Sequence, residues 1–352
     1  MRISVIVTVK NEARNLPRLL DSLAAQTLQP DEVVICDGGS VDGGLELLRA
    51  EKRLPLRVIL HPGANISQGR NAAIQAANGE IIAVTDAGVW LEVTWLEELV
   101  TTLKSQIANN KAPVVGGFFV PDAYTRYAVE RRNVSRPANG EGGGTMPLPE
   151  TLNLKPETIF RVAMSATVLP QLADIKPATF MPSSRSVAFT QEAWQAVGGY
   201  PEWLDFCEDL VFDMALRERY GAFAFAPRAI AHFRPRGTLR AFFRQYYQYA
   251  RGDGKAGLFF KRHMARYGTY LLAAPLILWA GAALSPWWWS LCLLSIPFMF
   301  FTPYKRLLKL WTGLPPVRKL EAALWIPLIR LSGDVAKMIG YPVGVAWRLG
   351  RK

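Results

Sequence analysis

Ile3-Ser4-Val5-Ile6-Val7-Thr8-Val9, the leucines Leu16, Leu19, Leu20 and Leu23, and Val33-Val34-Ile35-Cys36 before Asp37-Gly38-Gly39-Ser40-Val41-Asp42 decide the fold of this chain. The first run is mostly β-branched and stops at Lys10-Asn11-Glu12. The leucines recur at helical spacing, and the third run is apolar again. Strand, helix and strand in this order make a parallel βαβ unit, whose crossover is right-handed in nearly every case. Ligands of such open sheets bind at the carboxyl ends of the strands. Asn11, Glu12 and Asp37 stand at the first two of those ends, where a nucleotide is expected.

Working outward, the alternation continues. Leu45 to Ala50 reads as helix, Leu56 to Leu60 as strand and Gly69 to Ala77 as a helix with a small alanine face, closed by Gly79. Ile81 to Thr85 is a strand, Trp95 to Ser105 a helix and Val114 to Val120 a strand. This pattern predicts an α/β fold with a mostly parallel sheet. Residues 133–158, rich in Gly and Pro, read either as a surface insertion or as a lid over a cleft. Beyond them come a strand at Ser186 to Phe189, a helix at Glu192 to Val197 and a Gly-Gly-Tyr-Pro turn. A further helix at Leu210 to Tyr220 offers Leu210, Met214 and Leu216 as core positions.

Charge divides the chain of 352 residues. Fourteen Lys and Arg face two acids between Lys255 and Lys352, so the whole net charge of +12 falls there, and residues 1–254 are balanced. That asymmetry argues against a nucleic-acid binder and for a membrane region. Tyr267 to Leu284 and Trp287 to Tyr304 are uncharged, separated by Ser285-Pro286 and bordered by Trp287-Trp288-Trp289. Each is long enough for a bilayer core, roughly 27 Å at about 1.5 Å per residue. Basic residues flank both outer ends, which predicts a multi-pass hairpin, helices at about 267–284 and 287–304, with both ends in the cytoplasm. The alternative is a buried helical hairpin. The stretch at about 320–347 is apolar but interrupted by Pro327, Gly333-Asp334, Gly340 and Pro342, which predicts an interfacial or re-entrant segment. The expected domains are thus 1–254 and 255–352. Cys36, Cys207 and Cys292 are far apart, with neither disulfide framework nor zinc spacing, and fit a reducing cytoplasm. No signal peptide is expected.

Several residues could carry chemistry. Asp86, in Thr85-Asp86-Ala87-Gly88, ends a strand and reads as a Mg²⁺ or Mn²⁺ ligand or as a turn cap. Glu208-Asp209 either complements a helix dipole or supplies a base within reach of a hydroxyl. His232 after Ala229 to Ala231 is a structural histidine or a metal ligand. Arg234, Arg236, Arg240, Arg244 and Arg251, interleaved with aromatics, suit a membrane surface, a phosphate grip, or both.

The segments SVIVTVKNEARNLPRLLDSLAAQT with VVICDGGSVDG, GRNAAIQAANGEIIAVTDAG, and FTQEAWQAVGGYPEWLDFCEDLVFD resemble, in this order, the family 2 glycosyltransferases over roughly residues 2–255. The resemblance implies an inverting enzyme of the GT-A fold, anchored in the cell membrane and working in lipid, glycan or cell-envelope synthesis. Its donor would be a nucleotide-sugar, its acceptor lipid-linked or of the polyprenyl-phosphate type, and its catalytic domain cytoplasmic. It implies that Glu12 and Asp37 contact the nucleoside, Asp37 accepting from a base N–H, and that Arg70 and Asn71 lie near the nucleotide-sugar. Asp86 would hold the metal, with His232 as second ligand. Asp209 would be the general base, supported by Glu208. Three departures matter. The D-x-D motif reads Asp86-Ala87-Gly88, the D-D-G-S motif reads Asp37-Gly38-Gly39-Ser40, and Gln248-Tyr249-Ala250-Arg251-Gly252 lacks the Trp of a processive synthase box. The competing readings are a processive polysaccharide synthase and a non-catalytic membrane protein binding nucleotide-sugar or glycan.

Overall fold

The computed structural model describes residues 1–122, 156–310 and 314–351. The chain forms two compact units, residues 1–121 with 170–234, and residues 122–169 with 235–352. The expected boundary at 254 therefore falls inside a helix of the second unit. The expected loop at 133–158 lies outside the described residues except for its last three, which open a helix.

The first unit carries an eight-stranded sheet in the order β3-β2-β1-β4-β7-β6-β8-β5. Its strands are β1 Ile3–Val9, β2 Glu32–Asp37, β3 Leu56–Leu60, β4 Ile81–Asp86, β5 Val89–Leu91, β6 Val114–Pro121, β7 Val187–Thr190 and β8 Ala224–Phe233. Helices α1 Leu16–Ala24, α2 Gly44–Ala50, α3 Ile66–Ala76 and α4 Trp95–Ala108 alternate with the first strands as the periodicity predicts. Strands β1 to β4 pair in parallel, whereas β7 runs against β4 and β6, and β5 runs against β8. β6 and β8 pair in parallel, so six of the eight strands share one direction, as the mostly parallel expectation has it, and β5 and β7 make the sheet mixed. Alternation of hydrophobic residues gives no strand direction, and β5 is only three residues long.

Both faces of the sheet are covered, as a parallel core requires. Val5, Val7 and Val9 pack with Leu16, Leu19 and Leu23 of α1 and Trp95 and Leu99 of α4. Ile6, Val34 and Val84 point the other way, into a core with Ala73 and Ile74 of α3. Gly79 does not cap α3. A Cβ there would lie 2.3 Å from Ser4 Oγ, so the glycine serves the close approach to β1.

In chain order the helices continue with α5 Pro156–Val168, α6 Gln191–Ala196, α7 Glu208–Tyr220 and α8 Leu239–Ala256. Helix α7 starts two residues earlier than expected and buries Glu208, Phe212, Asp213 and Leu216, leaving Met214 exposed. Of the three core positions expected there, only Leu216 is fully inside.

The second unit is helical. It continues with α9 Phe260–Tyr267, a π-helical turn Gly268–Ala273, α10 Ala274–Ala283, α11 Trp289–Leu310 and α12 Pro316–Leu349. The predicted interruptions at 320–347 do not occur, because α12 runs unbroken for 34 residues. Its glycines are packing sites. A Cβ on Gly340 would stand 2.3 Å from Tyr247 O, and one on Gly344 2.1 Å from Arg251 O, both on α8. Ala322, Ile326 and Ile329 pack with Ile159 and Ala163 of α5 and Phe242 of α8. Leu284-Ser285 does break the helix between α10 and α11, and Trp289 folds back onto Gly281. Among the described residues one helix, Pro286–Leu310, is long and apolar enough to cross a membrane.

Candidate active site

Asp37 ends β2 fully buried, with Oδ1 accepting from the N–H groups of Gly39 and Ser40 at 2.7 Å each. Among the described residues its Oδ2, also buried, has no hydrogen-bond partner. A buried carboxylate oxygen without a donor costs free energy unless a ligand supplies one. Asn11, with φ of 57°, bends the chain after β1, and its side chain accepts from Val41 N–H at 2.9 Å. It fastens the first two strand ends together. Glu12 accepts from the Asn15 side chain at 2.5 Å, holding the entry to α1.

Arg70 is 2% exposed and joins two of the expected site residues. Its Nη1 donates to Glu208 Oε1 at 2.6 Å and its Nη2 to Asp86 Oδ1 at 3.0 Å, while its guanidinium lies over the Tyr200 ring. Helix α3, the end of β4 and the start of α7 are thereby tied at one point. Asn71 does something else. Its amide donates to Tyr200 O and Glu202 Oε1 and accepts from Tyr200 N–H and Trp194 Nε1, which fills all four of its positions with protein. These bonds hold the Gly198-Gly199-Tyr200 turn.

Burial pushes the Glu208 carboxyl up to about 7, with the Asp209 charge adding and Arg70 opposing. Asp213, one turn further along α7, is buried, and its carboxyl is pushed well above the usual range by burial and then by Asp209. Asp209 itself is half-buried, with Oδ1 accepting from Leu210 N–H at 2.8 Å. It lies on a cleft of about 300 Å³ whose other walls include Phe118, Phe119, Phe180 and Met181. A base beside a cleft can take a proton from a hydroxyl placed there.

A second cleft, of about 110 Å³, is lined by Arg14, Arg18, Arg234, His232, Trp90 and Gly88. Arg18 lies over the Trp90 ring, and Trp90 stacks on His232 at 3.7 Å. Three guanidiniums around one small space favour an anion. The other expected arginines, from Arg236 to Arg251, belong to the second unit.

The donor set does not fit the expected metal pair. Gly88 replaces the second carboxylate of the motif. Asp86 Oδ1 accepts from Arg70, and its Oδ2 is 3.8 Å from Arg185 Nε. His232 Nε2 lies 2.6 Å from Glu92 Oε1. Among the described residues no group of three or more His, Cys, Asp or Glu side chains is arranged around a metal position. A carboxylate flanked by two guanidiniums already has its counter-charge, and they repel a divalent cation.

Arg185 was not singled out by the sequence. It lies 4.6 Å over the Phe233 ring and 5.6 Å over that of Phe119, and its Nη1 donates to Ser183 Oγ at 3.2 Å. No spacing motif marks it, because its partners come from β4, β6 and β8.

Residues 4–154 match the family model described as Glycosyl transferase family 2. The cholesterol galactosyltransferase of Borreliella burgdorferi is 29% identical over 121 residues, 34% of this chain and 33% of that protein. The glycosyltransferase AglE of Haloferax volcanii is 30% identical over 158 residues, 39% of this chain and 51% of that protein. The undecaprenyl-phosphate 4-deoxy-4-formamido-L-arabinose transferase of Serratia proteamaculans is 31% identical over 93 residues, 24% and 28% of the two chains. The chain thus spans at most about half the length of these relatives. The mannosyltransferase PcManGT from Pyrobaculum calidifontis, solved in complex with GDP-Man and Mn²⁺, aligns over 100% of this chain and 88% of its own. Its TM-score is 0.51 at 17% identity, a likeness of fold. The first unit has a GT-A-like α/β fold with a curled mixed sheet, and the matches together support a family 2 glycosyltransferase.

Proposed function

We propose that the chain transfers a sugar from a nucleotide-sugar to a membrane-associated hydroxyl acceptor, with inversion at the anomeric carbon. The observation that carries the donor half is Asp37 Oδ2, a buried acceptor at a strand's carboxyl end with no protein donor among the described residues. A nucleobase N–H supplies that donor. Asp209 is the base for the acceptor half. The acceptor oxygen attacks the anomeric carbon, its proton passes to Asp209, and the bond to the diphosphate breaks with its electron pair on the leaving oxygen.

Among the described residues the Mg²⁺ or Mn²⁺ that the resemblance implies would find one carboxylate at the motif, Asp86, with two guanidiniums beside it. No step is therefore routed through a metal. The diphosphate's charge falls to Arg14, Arg18 and Arg234, which are exposed, and to the half-buried Arg185, since the guanidinium fork suits phosphate oxygens.

Membrane attachment is supported by Pro286–Leu310, with mean hydropathy 1.2, and by exposed apolar side chains on the π-helical turn, α10 and α11, among them Leu272, Trp279, Leu293 and Phe298. The basic residues outside the two helices favour a hairpin with both ends on the cytoplasmic side. Two relatives are named for lipid acceptors, cholesterol and undecaprenyl phosphate, which supports a lipid-borne acceptor here.

The test is nucleoside diphosphate release by the full chain, given a panel of nucleotide-sugars and a membrane lipid extract. Release with one sugar added per acceptor is expected. Long polymer would indicate a processive synthase. Silence with every donor, together with no effect of Asp209→Asn in cells, would leave a non-catalytic binding protein.

A further inference from the structure

The cleft beside Asp209 differs from a sugar-binding site. Among its lining residues Phe118, Phe119, Ile175, Phe180 and Met181 supply apolar wall, and the polar side chains are Ser183 and Asp209. Ser183 Oγ already takes the Arg185 guanidinium at 3.2 Å. Among the described residues no Lys or Arg lines this cleft. At about 300 Å³ it falls at the small end of sites for small molecules. Its walls are set by core packing. A Cβ on Gly116 would stand 2.5 Å from Pro182 Cβ and 2.6 Å from Phe180 Cε1, and Phe180 packs on Phe225 at 4.6 Å. Phe119 also meets the Arg185 guanidinium, which reaches toward Asp86. The apolar cleft therefore adjoins the donor side.

We infer that the acceptor is an apolar alcohol, its hydroxyl at Asp209 and its hydrocarbon body in this cleft. The inference rests on the glycosyltransferase reading and narrows its acceptor. A sugar acceptor brings several hydroxyls, and each one dehydrated against Phe, Ile and Met without a partner is costly. A phosphate acceptor needs cations and no base, and Asp209 would repel it. One hydroxyl on an apolar body asks for one polar group and an apolar wall. The cleft supplies these. In the transfer the new bond joins the alcohol oxygen to the anomeric carbon, the proton goes to Asp209, and the nucleoside diphosphate leaves. The product is a neutral alkyl or sterol glycoside.

The test uses the full chain in detergent with labelled UDP-glucose, UDP-galactose, UDP-N-acetylglucosamine and GDP-mannose. Each is offered with hexadecanol, cholesterol, undecaprenyl phosphate or glucosyl diacylglycerol, and label in the lipid phase is read. Transfer to hexadecanol or cholesterol is expected, with undecaprenyl phosphate and the glycolipid inert. Ile175→Glu, which puts a second carboxylate into the apolar cleft, should raise the KM for the alcohol at least about tenfold. Ile175→Leu should restore it, and a melting curve of each variant reports folding. Label in undecaprenyl phosphate or the glycolipid with the alcohols inert overturns the inference, as does an unchanged KM in folded Ile175→Glu. Binding of UDP and GDP by the wild type is measured separately. Nucleotide binding with no transfer to either alcohol fails the inference alone, whereas absence of nucleotide binding removes the glycosyltransferase reading beneath it.

Discussion

The two clefts of the sheet-bearing unit ask opposite things of a ligand. The smaller, beside Gly88, is ringed by Arg14, Arg18 and Arg234, with Trp90 and His232 stacked at its side. The larger, beside Asp209, is walled by Phe, Ile and Met and carries one carboxylate. A reaction joining a charged donor to an apolar acceptor needs both surfaces within one active site. Arg185 stands between the two chemistries, facing Asp86 on one side and Phe119 and Ser183 on the other. Charge on the donor side is met by several guanidiniums, whereas among the described residues the acceptor cleft is lined by no Lys or Arg and is approached from behind its wall by Arg185.

Asp209→Asn should lower transfer by about 10²–10⁴-fold, the usual worth of a general base, and leave nucleotide binding in place. Product formation and nucleotide affinity, measured on the same preparation, check this. Unchanged transfer would remove the base.

Next in size is Arg70→Met. It leaves Glu208 and Asp86 without their shared guanidinium, and breaking a buried pair typically costs about 3–5 kcal/mol. Chemical denaturation would report it. A change within experimental error would mean that the link between α3, β4 and α7 is dispensable.

Arg18→Gln, in the other cleft, and Arg185→Gln, beside Asp86, test the donor side. Each should raise the KM for the donor about tenfold, with the loss growing as salt is lowered, since screening already weakens exposed charges at high salt. In the wild type, EDTA should leave most of the turnover intact. Full loss with EDTA, restored by Mn²⁺, would return the diphosphate to a metal.

The smallest expected effect is on pH dependence. The Glu208 carboxyl, ordinarily near 4.5, is raised to about 7 by burial. Its stabilising contribution is complete below about 4.5 and disappears as pH rises through about 7. Melting temperature should therefore decline across that window in the wild type and run flatter in Glu208→Gln. Parallel profiles would argue that Arg70 keeps Glu208 ionised throughout.

The half of the sheet from β1 to β4 was legible because its signals are local. Ile3–Val9 and Leu56–Leu60 appear with the bounds their apolar runs predict, and α1 with the face its leucines predict. In the other half β6 and β7 also appear within one residue of the expected bounds, but β5 and the strand directions were not legible. The three-residue β5 is too short to show a period, and the opposed direction of β7 is set by its neighbours β4 and β6. Gly79 and Gly340 read as punctuation in one dimension. In three they are places where another segment comes too close for a Cβ.

The same division holds for the site. By itself the sequence determined the βαβ frame, the acids at Asp37, Asp86, Glu208 and Asp209, and the charge asymmetry. Strand runs, helical spacing and charge are properties of neighbours along the chain. Tertiary structure alone decided that Arg70 joins Glu208 to Asp86, that Asn71 holds a turn, and that Asp209 borders an apolar wall. Those contacts link residues up to 138 positions apart, and packing, not local spacing, brings such distant side chains together.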